Sequence, residues 1–388
     1  MSGDTASVDG PMRLFDTAKQ RIVPFEPGPL VTMYTCGITP YDATHLGHAA
    51  TYLTYDVLQR RLRDLGHETR CVRNITDVDD DLLRKAREVG VHYLDLAAAE
   101  IDRFDADMAA LGMLEPYAEP RATSAIADIR RFIGEVLAAG RAYESGGAVY
   151  FDVSSYPAFG QVSHLDRATM LDLAAERGGN PDDPDKRDPL DFVLWQPSLP
   201  DEPAWDSAWG PGRPGWHVEC STLALRELGD TIDLHGGGAD LIFPHHECEA
   251  AQSESATGSP FVRHWVHQAM VRMGGEKMSK SLGNLVFVSE LRKQVDPMAI
   301  RIALLDHHYR TEWEFHDAEI ERARVRFLAW SEADRAADDA VTDPVRRALD
   351  DDLDTPTALG IIDDAVADGR PIGGAADLLG VSLDPSAA

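Results

Sequence analysis

The chain has 388 residues, of which 44% are hydrophobic, so it can bury a large core divided among two or three domains. It carries 37 basic and 66 acidic residues, a net charge of −29. This charge disfavours binding to nucleic acid, because that affinity comes mainly from Lys and Arg at the phosphates. The acidity is equally typical of a protein that is merely soluble or lives at high salt, and it leaves room for a small nucleotide in a cleft.

The rest of the composition disfavours a membrane protein and a disulfide-rich protein. The sequence has no apolar run of membrane-spanning length and no charged-then-apolar leader, so we expect a cytoplasmic protein without a membrane anchor. Its cysteines are too few for a disulfide scaffold, so each needs an explanation by packing, metal binding or chemistry: Cys36, Cys71, Cys220 and Cys248.

The first elements predict a strand, a turn, a helix and a second strand. Residues 30–35 are apolar and β-branched, apolar residues recur at helical spacing over 53–65, and residues 68–76 again favour a strand. This order is typical of a doubly wound parallel sheet, an α/β fold of the Rossmann-like kind, in which ligands sit at the carboxyl ends of the strands. The turn at Cys36 and the strand end at 74–76 should therefore face one crevice.

The remaining pattern predicts an interruption of this sheet and a helical end. Helices are expected at about 80–112 and 121–140 and a strand at 148–153, and the sheet should resume at 216–220, 231–235 and 265–271. We therefore divide the chain into an N-terminal segment (1–28), the first half of a catalytic domain (29–115), an inserted region (116–205), the second half (206–295) and a C-terminal helical region (296–388).

Two histidines mark the predicted start of the first helix. Thr44 can cap this helix, and His45 and His48 lie in its first turn, where free amides and the helix dipole favour an anion. Both imidazoles can donate to phosphate oxygens. Capping and packing alone explain an isolated pair of this kind equally well.

A second cluster of positive charge lies far along the chain. Lys277 and Lys280 occupy a loop flanked by glycines, and two ammonium groups on such a loop can close over a polyphosphate. The commoner role of two lysines is a solvated surface.

Cysteine, histidine and carboxylate side chains occur near three predicted strand ends. Cys36, Cys220 and the run 245–249, which includes His245 and Glu249, form a donor set that suits zinc. The spacing is unlike a zinc finger, and buried structural cysteines are the commoner explanation.

The glycine run 236–238 and Asp240 follow a predicted strand. The glycines allow close approach of a ligand, and Asp240 can accept from a ribose hydroxyl or hold an ammonium group. A tight turn explains the glycines equally well. Trp216 can stack on a ligand or fill the core.

Taken together, these segments resemble the class I aminoacyl-tRNA synthetases. His45-Leu-Gly-His48 and Lys277-Met-Ser-Lys-Ser281 resemble the two signatures of that family. The cysteinyl branch is indicated by further matches, which are Cys36-Gly, Asn74-Ile-Thr-Asp, Glu119-Pro-Arg-Ala-Thr, Gly212-Arg-Pro-Gly-Trp-His-Val-Glu-Cys220 and His235-Gly-Gly-Gly-Ala-Asp-Leu-Ile-Phe-Pro-His-His-Glu. The resemblance covers about residues 30–315.

The resemblance implies particular roles for the residues that carry it. His45, His48, Lys277 and Lys280 would act on ATP, which is used with Mg²⁺. One zinc ion would lie on Cys36, Cys220 and His245, with Glu249 as a fourth ligand. The adenylate pocket would be lined by Cys36, Gly37, Ile38, Thr39, Thr51, Asn74, Ile75, Thr76, Trp216, Gly238, Ala239, Asp240 and Val271.

Two activities exist within that branch. The segments 36–52, 176–181 and 350–356 resemble the ligases of mycothiol synthesis, which join cysteine to the amine of glucosaminyl-inositol. Glu249 and the stretch 191–195 resemble cysteinyl-tRNA synthetases, and Ala239 stands where both usually have Ser. Residues 331–388 hold 14 acidic residues and four arginines, a net charge of −10, which would repel RNA.

The sequence therefore predicts a monomeric, AMP-forming ligase. Its partners would be L-cysteine, ATP and glucosaminyl-inositol, with no nucleic acid and no membrane. Residues 176–188 are our candidate for part of the sugar site. A cysteinyl-tRNA synthetase and a non-catalytic cysteine-binding paralogue remain the alternatives.

Overall fold

The computed structural model of the protein describes residues 10–41, 44–278 and 283–384, and for Lys277 the backbone alone. The first part of the chain forms, in order, β1 (Arg13–Asp16), β2 (Arg21–Pro24), β3 (Leu30–Ile38), α1 (Leu46–Asp64) and β4 (Glu68–Ile75). The next part forms α2 (Asp80–Val89), α3 (Tyr93–Ala110), α4 (Ile126–Ala138), β5 (Ala142–Ser145), β6 (Ala148–Phe151), α5 (Arg167–Glu176), β7 (Phe192–Gln196) and β8 (Arg213–Pro214).

The second half of the chain returns to the central sheet and ends in helices. It forms α6 (Trp216–Leu228), β9 (Leu234–Gly238), α7 (Glu247–Thr257), β10 (Trp265–Gln268), β11 (Val271–Met273), β12 (Glu276–Lys277), α8 (Val288–Leu291), α9 (Pro297–Leu305), β13 (Trp313–Glu314), α10 (Asp317–Ser331), α11 (Asp339–Asp350), α12 (Thr355–Ala367) and α13 (Gly373–Leu378). Among the described helices, none combines the length and the apolar character that crossing a membrane requires.

The central sheet is parallel and four-stranded, in the order β10-β9-β3-β4. Strand β3 lies in its interior and buries Met33 and Tyr34 on opposite faces, as expected where helices cover both sides of a parallel sheet. Helix α1 connects β3 to β4 and buries Leu53, Leu58 and Leu62. The predicted Rossmann-like α/β fold is confirmed.

Helix α1 begins one residue later than its predicted cap implied. His45, rather than Thr44, is the N-cap residue, and its ring Nδ1 accepts from Gly47 N at 3.1 Å. The prediction that Thr44 caps the helix is wrong, because the imidazole already satisfies an amide of the first turn.

The predicted strand at 216–220 is also wrong, because these residues form the first turns of helix α6. Pro214 and Gly215 end the preceding strand, and the helix-favouring run at 220–228 continues the helix. A run of five residues was too short to distinguish a buried helix from a strand. Cys220 therefore points from a helix rather than from a strand end.

The glycines at 236–238 lie inside strand β9 instead of following it. A Cβ on Gly236 would lie 1.8 Å from Val266 O on β10 and 2.1 Å from the Tyr55 hydroxyl on α1. This glycine is therefore required by close packing within the fold, and a side chain there would separate α1 from the sheet.

The inserted region contains an antiparallel sheet of its own, in the order β5-β6-β7-β8. This sheet reaches Pro214, past the predicted limit at 205. The other predicted domain limits stay predictions. Helices α9 to α13 form the C-terminal region, whose described part adds one short strand, β13, to the predicted helices.

A buried ion pair joins this C-terminal region to α1. Arg301 on α9 is fully buried, pairs with Asp56 of α1, and donates to Leu379 O at 2.7 Å and Leu111 O at 2.9 Å. Asp56 also accepts from Arg60 Nε at 2.8 Å. Three separate parts of the chain therefore depend on one guanidinium group.

We expect Arg301→Met to lower the free energy of unfolding by about 3 kcal/mol, because it leaves the Asp56 carboxylate with one fewer partner in a buried site. Urea unfolding measures this change. Arg324→Met, which removes an exposed ion pair to Glu321, is the control and should unfold like the parent protein. Equal stabilities of the two variants would contradict this account.

Candidate functional site

The carboxyl ends of β3 and β4 meet at one crevice, as the sequence predicted. Gly37 N donates to the Asn74 side-chain oxygen at 2.8 Å, and a Cβ on Gly37 would lie 1.4 Å from Asn74 O, so only glycine fits. Asn74 also donates from its amide to Thr76 Oγ1 at 3.1 Å. Its polar atoms are therefore engaged in joining the two strand ends.

The start of α1 lies beside this crevice and pairs with the segment 286–288. The His45 and His48 rings stack with their centroids 3.9 Å apart. Leu46 N donates to Val286 O at 2.9 Å, and Val288 N donates to Thr44 O at 3.1 Å. The segment that follows the lysine loop is thus paired with the helix start.

The two predicted lysines are described only in part. The Lys277 backbone lies in β12 and pairs with Arg272 of β11. Lys280 lies outside the described residues.

Four side chains from separate elements converge next to the strand ends. The ligand atoms of Cys36 on β3, Cys220 on α6, His245 before α7 and Glu249 on α7 all lie within 4.8 Å of one another, and all four residues are buried. This is the donor set that the sequence predicted. We call it the donor group.

Burial disfavours the charged forms of three members of the donor group. It raises the pKa of the Cys36 thiol and of the Glu249 carboxyl group, and it lowers the pKa of His245. All three shifts favour the neutral forms. A metal cation reverses this preference for thiol and carboxyl groups, because it stabilises their anionic forms.

The orientation of His245 is suited to a metal ligand. Its Nδ1 lies 2.9 Å from His217 Nδ1, while its Nε2 is buried and has no hydrogen-bond partner among the described residues. A hydrogen bond at one ring nitrogen that fixes the other toward the ion is typical of metal-binding histidine. Trp216 stacks on this ring at 4.3 Å between centroids. The soft sulfur, imidazole and carboxylate donors together fit zinc.

A second set of donors overlaps the first. Cys36 and Glu249 also lie within 4.8 Å of His235 and His246. His246 is oriented in a similar way, since its Nδ1 lies 2.6 Å from His267 Nε2 and its Nε2 lies 3.3 Å from Cys36 Sγ. The set with Cys220 and His245 differs in having two thiols, and soft sulfur donors favour zinc.

The structure places most of the predicted nucleotide-contacting residues around the same crevice. A Cβ on Gly238 would lie 3.9 Å from Thr51 Oγ1 and 2.6 Å from Asp240 Oδ1, so α1, β9 and the turn after β9 meet there. The positions are Cys36, Gly37, Ile38, Thr39, Asn74, Ile75 and Thr76 at the ends of β3 and β4, Thr51 on α1, Gly238 on β9, Ala239 and Asp240 in the following turn, and Trp216 at the start of α6. Val271 lies apart from these, in β11, and packs against α1.

Several polar residues around the site were not predicted. His267 bridges His246 to Thr17, whose Oγ1 lies 2.7 Å from His267 Nδ1. His217 contacts His245 as described above. His217 lies in the matched segment 212–220 but was given no role there, and the signal for His267 was the large number of histidines between 217 and 267.

The family comparison agrees with this geometry. Residues 23–325 match the family model described as the tRNA synthetases class I (C) catalytic domain. Among solved structures, the chain is similar to the Mycobacterium tuberculosis methionyl-tRNA synthetase in complex with methionyl-adenylate, with a TM-score of 0.65 and 19% identity over 92% of this chain and 88% of that one. At this identity the likeness shows a shared fold.

Closer relatives are found among curated proteins. The chain is 52% identical over 373 residues to an L-cysteine:1D-myo-inositol 2-amino-2-deoxy-alpha-D-glucopyranoside ligase of Nocardiopsis dassonvillei, covering 95% of this chain and 91% of the relative. A protein of the same name from Streptosporangium roseum is 48% identical over 375 residues, covering 95% of this chain and 92% of the relative.

Proposed function

Because the chain belongs to the class I (C) tRNA synthetase catalytic-domain family, we propose that it is an ATP-dependent ligase that activates L-cysteine as cysteinyl-adenylate and joins it to glucosaminyl-inositol. The reaction forms an amide, releases AMP and diphosphate, and belongs to mycothiol synthesis. The observation that carries this proposal is the donor group beside the start of α1, in a chain about half identical to relatives named for this ligation.

Cysteine activation is assigned to the crevice. ATP would place its phosphates, with Mg²⁺, at the start of α1, where His45 and His48 donate to them, under Lys277 and Lys280. The cysteine carboxylate attacks the α-phosphorus, the bond to the β-phosphate oxygen breaks, and diphosphate leaves. Positive charge fixed at these places stabilises the leaving group without reorganisation.

Amino-acid selection is assigned to the donor group. Cys36, Cys220, His245 and Glu249 would hold one zinc ion, which supplies a soft Lewis acid that prefers a cysteine thiolate to a serine hydroxyl. Trp216 stacks on the His245 ring, and we assign Asp240, in the turn after β9, to the substrate ammonium group. All four donors come from one chain, so the site is complete in a monomer.

Amide formation follows in the same crevice. The amine of glucosaminyl-inositol attacks the adenylate carbonyl carbon, the carbon–oxygen bond to the phosphate breaks, and AMP leaves while the amine loses a proton. We assign part of the sugar site to residues 176–188, in the inserted region that lies against the turn after β9. The acidity of the chain supports a small acceptor over tRNA.

Replacing a single sulfur tests the metal assignment. We expect the purified protein to contain one zinc per chain and Cys220→Ala to lose most of it, together with cysteine-dependent exchange of diphosphate into ATP. Metal analysis and the exchange assay measure these effects. Cys248→Ala, a buried thiol outside the donor group, is the control and should retain both. Full exchange in a zinc-free Cys220→Ala protein would remove zinc from this proposal.

Two substitutions separate capping from phosphate binding at the start of α1. Asparagine is a good N-cap, so His45→Asn should keep the stability of α1 but lose a donor to the phosphates. We expect His45→Asn and His48→Asn each to slow the exchange by about a hundredfold, as when one transition-state donor is removed. Thermal unfolding provides the control. Unchanged exchange in both variants would leave these rings with a structural role only.

The choice of acceptor decides between the ligase and the synthetase. Glucosaminyl-inositol should accelerate AMP release from the enzyme with cysteine and ATP, whereas tRNA should have no effect, because a C-terminal region of net charge −10 repels RNA. Quantifying AMP with each acceptor in turn measures this. Acceleration by tRNA alone would establish the synthetase, and no turnover with either would favour a cysteine-binding paralogue.

A further inference from the structure

The segment that joins β9 to α7 carries both Asp240 and His245 and has an irregular backbone. Residues 239–241 form a single 3₁₀ turn, and Phe243 has φ −137° and ψ 136°, which are extended values between two helical turns. Regular hydrogen bonding cannot fix such a segment by itself. Its position must therefore depend on contacts from other parts of the chain.

The inserted region supplies those contacts through two charged side chains. Arg177, immediately after α5, donates from Nη1 to the backbone oxygens of Asp240 and Phe243. On the other side of His245, the buried Glu247 carboxylate accepts from Gly160 N at 2.7 Å and Ser163 N at 2.8 Å. Val162 N also donates to it, at 3.1 Å.

These contacts bracket His245, since Arg177 binds the chain before it and Glu247 binds after it. We call the two sets of hydrogen bonds the clasp. Hydrogen bonds from charged groups to backbone are stronger and more directional than neutral ones. Phe243 adds apolar contact, because it packs with Met170, Ala174 and Leu190 of the inserted region.

We propose that Arg177 is a positioning residue for cysteine activation. Through the clasp, the inserted region fixes the positions of Asp240 and His245 relative to the two cysteine ligands, Cys36 and Cys220. This inference rests on the proposed function for its substrate. Among the described residues, the hydrogen bonds of Arg177 end on backbone oxygens and not on the donor atoms themselves. It therefore acts through the segment that it holds.

The role in positioning predicts a selective kinetic effect. In Arg177→Met, we expect the KM for cysteine in the diphosphate exchange reaction to rise about ten- to a hundredfold, the range found when partners of metal ligands are removed. The KM for ATP should change by less than about threefold, since the start of α1 is untouched. Arg177→Lys, which keeps one cationic donor, should recover part of the loss.

A matched control lies in the same region. Arg167 on α5 forms an exposed ion pair with Asp188 at 2.8 Å, and its described hydrogen bonds do not reach the β9–α7 segment. Arg167→Met removes an arginine of the inserted region without opening the clasp, so its exchange kinetics should match the parent protein.

A second measurement is independent of catalysis. Competition with a chelator measures how tightly each purified protein holds its metal, and we expect Arg177→Met to release it at about tenfold lower chelator concentration than Arg167→Met. If Arg177→Met yields no soluble protein, Arg177→Lys and Glu247→Gln are compared with Arg167→Met by the same two measurements.

The outcomes separate this inference from the proposed function. Suppose that the parent protein exchanges diphosphate only in the presence of cysteine. If Arg177→Met then has the parent's KM for cysteine and the parent's metal retention, the positioning role is overturned. Lower thermal stability with unchanged KM and metal retention also overturns it, because Arg177 would then serve the fold alone. If the parent protein shows no exchange at all, the proposed function is contradicted. In that case, comparing the metal retention of Arg177→Met with that of Arg167→Met still decides whether the clasp holds the donor group.

Discussion

The burial of four ionisable side chains around one point is the constraint on which the rest of the structure depends. Cys36, Cys220, His245 and Glu249 are almost completely removed from water, and burial drives Cys36, His245 and Glu249 toward their neutral forms. A cation among them is the simplest way to make the arrangement favourable. Strand β3, helix α6 and the start of α7 must all be held in register for such a site to exist.

This requirement explains why so much of the surrounding chain is engaged in hydrogen bonds between elements. Asn74 joins the ends of β3 and β4 and accepts from Cys220 Sγ at 3.6 Å, and His217 fixes one face of His245. The inserted region, which has its own antiparallel sheet, contributes Arg177 and the amides that bind Glu247. The inserted region, which interrupts the α/β pattern, therefore forms part of the wall of the site.

The sequence predicted the parallel sheet from a local pattern, since strand, glycine-containing turn and helix follow one another over 30–65. It predicted the donor group through the family resemblance, because the residues alone left buried structural cysteines as the commoner explanation. It failed at 216–220, where five residues of mixed preference took the conformation that the following residues favour. It could not predict the clasp, because these partners lie 63 to 87 positions apart, and the likeness of 176–181 to the ligases does not indicate which groups Arg177 binds.

Some acidic residues join separate parts of the chain through buried or half-buried contacts, which composition alone did not show. Asp352, in the stretch 350–354, accepts from Phe15 N of the N-terminal hairpin at 2.8 Å and from the Tyr309 hydroxyl at 2.6 Å, and Asp350 pairs with Arg61 of α1 at 2.7 Å. Asp350 joins the C-terminal helices to the end of α1 that lies away from the crevice, whereas Asp352 joins them to β1. Negative charge thus holds α1 at one end, and the amides and imidazoles at its other end are the groups that we assign to phosphate binding. A strongly acidic chain can bind a nucleotide in this way because the phosphates meet a few fixed donors at short range, where the net charge of the molecule matters least.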